Sequence, residues 1–98
     1  MKASLSQIKE QIHPVDFYNV ELGVIPKSSD IAWYVGGLCP FHSDRKEGSF
    51  RANQESGAFT CFSCGAKGGD IVEFTKQRYG LSFAEALRKL THDWRVQC

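Results

Sequence analysis

Four side chains in two short pairs have the types and the spacing of a metal site. The pairs are Cys39-x2-His42 and Cys61-x2-Cys64, and 18 residues separate them. Thiolate sulfur and imidazole nitrogen are the ligands that zinc takes in tetrahedral structural sites, and a short spacer lets one tight turn present both members of a pair to the same ion. The pattern therefore predicts one structural Zn2+ held by these four residues.

Three other uses of the cysteines fit the sequence less well. A redox Cys-x-x-Cys would use Cys61 and Cys64 alone, with no βαβ frame around them and no role for the upstream pair. A disulfide framework needs an oxidising compartment, but Lys2, Lys9 and Glu10 stand where a signal peptide has its apolar stretch. A catalytic zinc keeps one position for water, which a fourth protein ligand closes. We therefore expect a cytoplasmic protein with reduced thiols.

Length and composition bound the class of protein. The chain has 98 residues, of which 42% are hydrophobic and 23% are charged. These values are typical of one soluble globular domain, too short for most enzymes with a deep active-site cleft. Twelve Lys and Arg residues nearly balance eleven Asp and Glu residues, so nucleic-acid binding would depend on the local arrangement of charge. No run approaches the roughly 20 apolar residues that a membrane span needs.

Helical patterns flank the predicted metal site on both sides. Two helices are predicted within about 4–22, and the first opens with a capping box at Ser4. Two more are predicted within about 70–95, where Asp70 and Ser82 are suitable N-cap residues because their side chains accept from free backbone N–H groups.

The segment between the helices has the composition of short strands and turns. Residues 25–66 are rich in aromatic and β-branched side chains, and residues 53–57 form a hairpin loop between two such runs. The predicted fold is α+β: a small zinc ribbon with a short antiparallel β-sheet, flanked by N-terminal and C-terminal helices. We expect residues 1–98 to form a single domain.

Further motifs accompany the metal-binding pairs. They are Ser49-Phe50 between the pairs, Gly65 after the last cysteine, and the helical segments 68–74 and 80–87. Together with Cys39-Pro40-Phe41-His42 and Cys61-Phe62-Ser63-Cys64, they resemble the zinc-binding domain of bacterial DnaG-type DNA primases over essentially the whole chain. The resemblance implies a zinc ribbon whose β-sheet recognises single-stranded template and helps to start primer synthesis in DNA replication.

The run after the histidine differs from the usual family pattern. That pattern reads His-x-Glu-Lys-Thr-Pro-Ser-Phe, whereas residues 42–50 are one residue longer and have Gly48 in place of proline. Asp44 stands for the acidic residue, and either Arg45 or Lys46 stands for the lysine. The resemblance also implies a separate polymerase domain with a magnesium site and a helicase-binding domain. Because 98 residues can hold neither, we expect no catalytic centre in this chain.

Basic and aromatic residues of the ribbon are the candidate contacts to nucleic acid. Basic side chains meet phosphates, and aromatic rings stack on bases. The candidates are Arg45, Lys46, Phe50, Arg51 and Lys67, with Trp33, Tyr34 and Phe59 as further stacking surfaces. Lys46 is the first choice, because it lies in the run where the resemblance places the family's lysine.

Two hypotheses follow for the function. The first is a primase module that binds single-stranded DNA, with the primase catalytic domain or the replicative helicase as its protein partner; it would be either part of a longer primase or a small free-standing protein. The alternative is a structural zinc-ribbon adaptor that docks onto another protein and binds no nucleic acid. A groove lined by Arg45, Lys46 and Arg51 would favour the first, and an exposed aromatic sheet without basic neighbours would favour the second.

Overall fold

Two short helices, a small sheet and two further helices follow one another along the chain. The computed structural model of the protein describes residues 2–43 and 47–98. In those residues the elements are α1 (Leu5–Gln11), α2 (Pro14–Leu22), β1 (Trp33–Val35), β2 (Phe50–Asn53), β3 (Phe59–Cys61), β4 (Lys67–Gly68), α3 (Ile71–Tyr79) and α4 (Phe83–Asp93). The predicted α+β fold, a short antiparallel sheet flanked by helices, is confirmed.

Local capping sets the ends of the helices. Ser4 and Ser82 form the predicted capping boxes at the starts of α1 and α4, and the Asp70 side chain accepts from the backbone of the first turn of α3. Helices α2 and α3 end at Gly23 and Gly80, whose φ angles of 70° and 65° lie in the left-handed region that glycine adopts at little cost. Within the described residues, no helix is long and apolar enough to cross a lipid bilayer.

The four strands form an antiparallel meander in the order β1-β2-β3-β4. The sequence predicted short strands on both sides of a hairpin loop at residues 53–57 but no strand at Lys67 and Gly68. These two residues pair instead with Thr60 and Phe59 of β3. A Cβ atom at Gly68 would lie 2.5 Å from a ring carbon of Phe59, so only glycine lets β4 approach this closely.

An aromatic cluster joins the sheet to the helices. Its members are Phe17, Tyr18, Phe41, Phe50, Phe59 and Phe74. The ring of Phe74 lies 5.5 Å from Phe17 of α2, 5.3 Å from Phe41 of the loop after β1, and 5.4 Å from Phe59 of β3, measured between centroids. Edge-to-face pairs at these distances add to the free energy of burial. The metal-binding loop is therefore packed into the core.

Candidate metal centre and nucleic-acid interface

The four predicted zinc ligands come together at one end of the sheet. Cys39 and His42 lie in the loop after β1, Cys61 is the last residue of β3, and Cys64 lies in the turn that follows. One ligand atom from each side chain lies within 4.8 Å of the other three, and the sulfurs of Cys39 and Cys64 are 3.8 Å apart. Two sulfurs at about 2.3 Å from a tetrahedral zinc are separated by about 3.8 Å. The residues therefore fit one structural Zn2+.

Backbone hydrogen bonds shape the turn that carries Cys64. The N–H of Gly65 donates to the carbonyl of Cys61 at 2.9 Å, and the N–H of Cys61 donates to the carbonyl of Ala66 at 2.7 Å. Gly65 has a φ of 80°, which other residues adopt only with strain. The hydroxyls of Ser63 and Ser49 also hydrogen-bond at 2.7 Å. The turn is thus held against the start of β2.

The electrostatic environments of the cysteines favour a bound cation. Burial raises the pKa of Cys39 to about 12, so this thiol ionises only beside a positive charge. Burial also acts to raise the pKa of Cys61, but hydrogen bonds from the backbone N–H groups of Cys64 and Ser63 and from the thiols of Cys39 and Cys64 together lower that pKa. A zinc ion supplies the charge and binds the thiolates, and protons leave as it binds.

The family model described as a CHC2 zinc finger, a zinc ribbon of DnaG, matches residues 1–98. The chain belongs to this family. The resemblance to DnaG-type primases and the single structural zinc predicted from the sequence are therefore confirmed, and the protein is a primase-type zinc-binding domain.

Relatives of the domain are DNA primases of much greater length. The DNA primase of Helicobacter pylori is 33% identical over 96 residues, which cover 98% of this chain and 16% of that protein. The DNA primase of Rickettsia prowazekii is 37% identical over 90 residues, which cover 92% of this chain and 14% of that protein. The chain therefore spans about one-sixth of the length of these relatives.

A solved structure shares the fold. The crystal structure of the Aquifex aeolicus primase, described as its zinc binding and RNA polymerase domains, superposes with a TM-score of 0.74 at 26% identity. The match covers 100% of this chain and 23% of that one.

One face of the sheet packs on the helices and the other is open. Side chains alternate along each strand, so Tyr34, Phe50, Ala52, Phe59 and Cys61 lie on the packed side. We call the other side the open face, and it carries Trp33, Val35, Arg51, Thr60 and Lys67. Val35 pairs with Arg51, Arg51 with Thr60, and Thr60 with Lys67. These four residues form one row that crosses all the strands of the sheet.

The predicted stacking residues differ in whether their rings are buried or exposed. Phe50 is 0% exposed and belongs to the aromatic cluster. Its ring therefore has no free surface on which a base could stack, which corrects the prediction made for Phe50. Tyr34 and Phe59 are buried on the same side of the sheet. Trp33 is 45% exposed on the open face. Trp33 is therefore the predicted aromatic residue that remains available for stacking.

Two of the four predicted basic residues lie on the open face, and the other two lie outside the described residues. Arg51 donates from Nε to the carbonyl of Gly48 at 2.9 Å, and Lys67 lies exposed at the other end of the same row. Arg45 and Lys46 lie outside the described residues. Two of the four predicted phosphate contacts thus share one surface.

Sequence reasoning missed the exposed ring of Phe62. It is 73% exposed, and the guanidinium carbon of Arg51 lies 5.9 Å from its centroid. The spacing of the ligands could have indicated this exposure. Cys61 and Cys64 turn inward to one ion, so a residue between them is directed outward. Phe62 extends the aromatic surface of the open face next to Arg51.

Proposed function

We propose that this domain binds single-stranded template DNA through the open face during primer synthesis in DNA replication. The observation that carries the proposal is the cross-strand row, which places Arg51 and Lys67 on one surface with Trp33 beside them. Strands of a sheet lie about 4.8 Å apart, so the two basic residues are separated by about 10 Å. A single strand lying across the row can bring one phosphate to each residue and stack a base on Trp33.

Acidic side chains moderate the charge of this surface. Glu73 lies with Lys67 and Trp33 around a shallow hollow over β3 and β4. Its carboxylate already accepts from Lys76 at 3.3 Å and from Gln77 at 3.0 Å. Lys67 therefore remains available to a phosphate. The chain's formal charge is only +1, so we expect weak binding that strengthens when a partner domain holds the same strand.

The same proposal includes the partners and the place of action. DNA primase is the name of the relatives, and the Aquifex aeolicus structure holds an RNA polymerase domain beside its zinc domain. We propose that primer chemistry takes place in such a catalytic domain, that the replicative helicase is a further partner, and that the protein acts in the cytoplasm as part of a primosome. The zinc site supplies structure rather than catalysis, because four protein side chains complete its coordination.

Salt titration of strand binding tests the proposal. Each phosphate contact with single-stranded DNA contributes about −0.7 to the slope of log affinity against log salt. We therefore expect Arg51→Ala and Lys67→Ala each to weaken binding and to flatten the slope by about 0.7. Arg88→Ala on α4 is the matched control, since it removes the same charge from an exposed helical position. Equal slopes for all four proteins would exclude the open face.

Lys46 and Arg45 are part of the proposal on the resemblance alone. Lys46→Ala should flatten the salt slope in the same way, and Lys9→Ala on α1 is the control chosen for it. If the Lys46 and Lys9 variants match the parent in both affinity and slope, Lys46 does not contact the strand.

The adaptor function remains the second candidate, and exposed apolar side chains favour it. Ile25, Leu38 and Phe62 are exposed on the ribbon, and such groups are common at protein interfaces. An adaptor would show no salt-dependent binding to any strand.

A further inference from the structure

A cleft of about 510 Å³ runs along the outer edge of β1. One wall is formed by residues 24–27 with Ile31, and the other by β1 itself together with Arg51 of the open face. This volume is within the range of small-molecule sites. Val35 and Arg51 belong both to the cleft and to the cross-strand row, so the cleft is continuous with the open face.

The edge of β1 presents backbone groups to this cleft. The N–H of Gln54 donates to the carbonyl of Ala32 at 2.8 Å, and the N–H of Gly36 donates to the carbonyl of Phe50 at 2.9 Å. In an antiparallel pair the hydrogen-bonded positions alternate, so the N–H and C=O groups of Trp33 and Val35 point away from β2. In the part of the chain that the structure describes, no hydrogen bond engages these groups.

The wall opposite β1 is held in place before any ligand binds. The side-chain amide of Gln54 donates to the carbonyl of Ser28 at 2.9 Å and also to the carbonyl of Ile31. Gln54 follows β2 directly, so these bonds attach the wall to the sheet. A preformed wall lowers the entropic cost of binding.

The lining suits a flat ring attached to an anion. Ile25 and Ile31 supply apolar surface, while Lys27 and Arg51 supply two positive charges against one negative charge from Glu47. The indole of Trp33 borders both the cleft and the hollow over Lys67. A strand that lies on the open face can therefore turn a base past Trp33 into the cleft without leaving the basic residues.

We propose that the cleft receives one unstacked base of the bound strand and that Val35 reads its Watson–Crick edge. This inference rests on the proposed function and specifies where a base is recognised. Each base carries a donor beside an acceptor on that edge, and single-stranded bases are commonly recognised there. The outward C=O and N–H of Val35 offer the matching acceptor and donor. The positive charge and the continuity with the open face favour a nucleotide over an extended peptide.

Blocking the edge of the base tests the proposal directly. The probes are two strands of about 12 nucleotides, one of thymidine and one of N3-methylthymidine, which keeps the phosphates and the stacking surface. With the zinc-loaded chain we expect the methylated strand to bind about tenfold more weakly, as for the loss of one paired contact. The salt slopes of the two strands should be equal, because the phosphate contacts are unchanged.

Two substitutions of Val35 distinguish the contribution of its backbone N–H from that of its side chain. Val35→Pro removes the outward N–H, and proline is tolerated at such an edge position because no ladder bond is lost. Val35→Ala shortens the side chain and keeps the donor. We expect Val35→Ala to bind the thymidine strand as tightly as the parent, and Val35→Pro to bind it more weakly, because a thymine carbonyl loses its backbone donor. Zinc content and cooperative unfolding should be intact in both.

The possible outcomes distinguish this inference from the proposed function. Equal affinity of the parent for both strands, with a normal salt slope, would overturn the base site and leave the open face in place. Equal affinity of the two Val35 variants for the thymidine strand would also overturn it. Absence of binding to either strand would overturn the proposed function. A last pair of results would assign the edge of β1 to a peptide. The Trp33 and Val35 amide signals would shift when a Val-Thr repeat peptide is added, and the parent would not discriminate between the two strands.

Discussion

At the scale of single residues, the metal ligands and the core are parts of one unit. Phe41 lies between Cys39 and His42 in the chain, and its ring packs at 5.5 Å from Phe59 and 5.3 Å from Phe74. Movement of the ligand loop would therefore open the aromatic cluster. Because the ligand loop packs into the core, we expect zinc binding to contribute directly to folding.

Substitution of one ligand tests this coupling. We expect Cys61→Ser to lose both the bound zinc and cooperative thermal unfolding, because the three remaining ligands hold the ion poorly and the buried thiol of Cys39 loses its charged partner. Cys98→Ser is the matched control, since Cys98 is exposed and outside the ligand group. Metal content per chain and calorimetric unfolding are the measurements. If Cys61→Ser retained one zinc and unfolded like the control, the ligand assignment would be wrong.

The ligands could be predicted from residue types, but the exposure of the aromatic residues could not. Two pairs with two-residue spacers specify a zinc site without knowledge of the fold. Phe50 and Trp33, in contrast, both stand in strand patterns, and only the register of the sheet decides which side each occupies. A shift by one residue would exchange the two sides. The structure places Phe50 in the core and Trp33 on the open face.

At the scale of elements, α3 connects the sheet with the N-terminal helices. Its Phe74 contacts rings from α2, the ligand loop and β3, and it is fully buried. We expect Phe74→Ala to cost about 3–5 kcal/mol of unfolding free energy, a large share of the roughly 5–15 kcal/mol of a typical domain. Denaturant unfolding of the zinc-loaded protein measures this value.

The control for that substitution is a phenylalanine on the surface of the neighbouring helix. Phe83 is 47% exposed at the start of α4, so Phe83→Ala should cost less than about 1 kcal/mol. Similar losses for both variants would mean that the aromatic cluster does not hold the elements together.

The helices could be predicted from the sequence, because residues next to their ends specify where they begin. The capping boxes at Ser4 and Ser82 and the Asp70 cap act within one turn of chain, so the sequence alone is sufficient to find them. Strand β4 has two residues, Lys67 and Gly68, and neither has high β propensity. It exists because Gly68 lets the chain lie against Phe59, a tertiary contact that no local pattern records.

At the scale of the whole molecule, we expect the domain to supply a surface for the strand rather than a reaction. Within residues 2–43 and 47–98, one group of acidic, cysteine or histidine side chains is placed to hold a metal ion. This group is the set of four zinc ligands. Primer synthesis needs metal-bound carboxylates that align a nucleotide with the growing strand. We therefore expect no primer from this chain with template, ribonucleotides and magnesium, as resolved on a denaturing gel. Robust synthesis by the chain alone would contradict its assignment as an accessory module.

We propose above that the strand lies on the open face. Titration of the zinc-loaded, nitrogen-15-labelled domain with single-stranded DNA tests it most directly, because every backbone amide reports separately. We predict that the amide signals of Trp33, Arg51, Thr60 and Lys67 shift together along one binding curve, while those of α4 remain in place. Shifts confined to α3 and α4, or no shifts at any strand concentration, would show that the strand does not bind the open face.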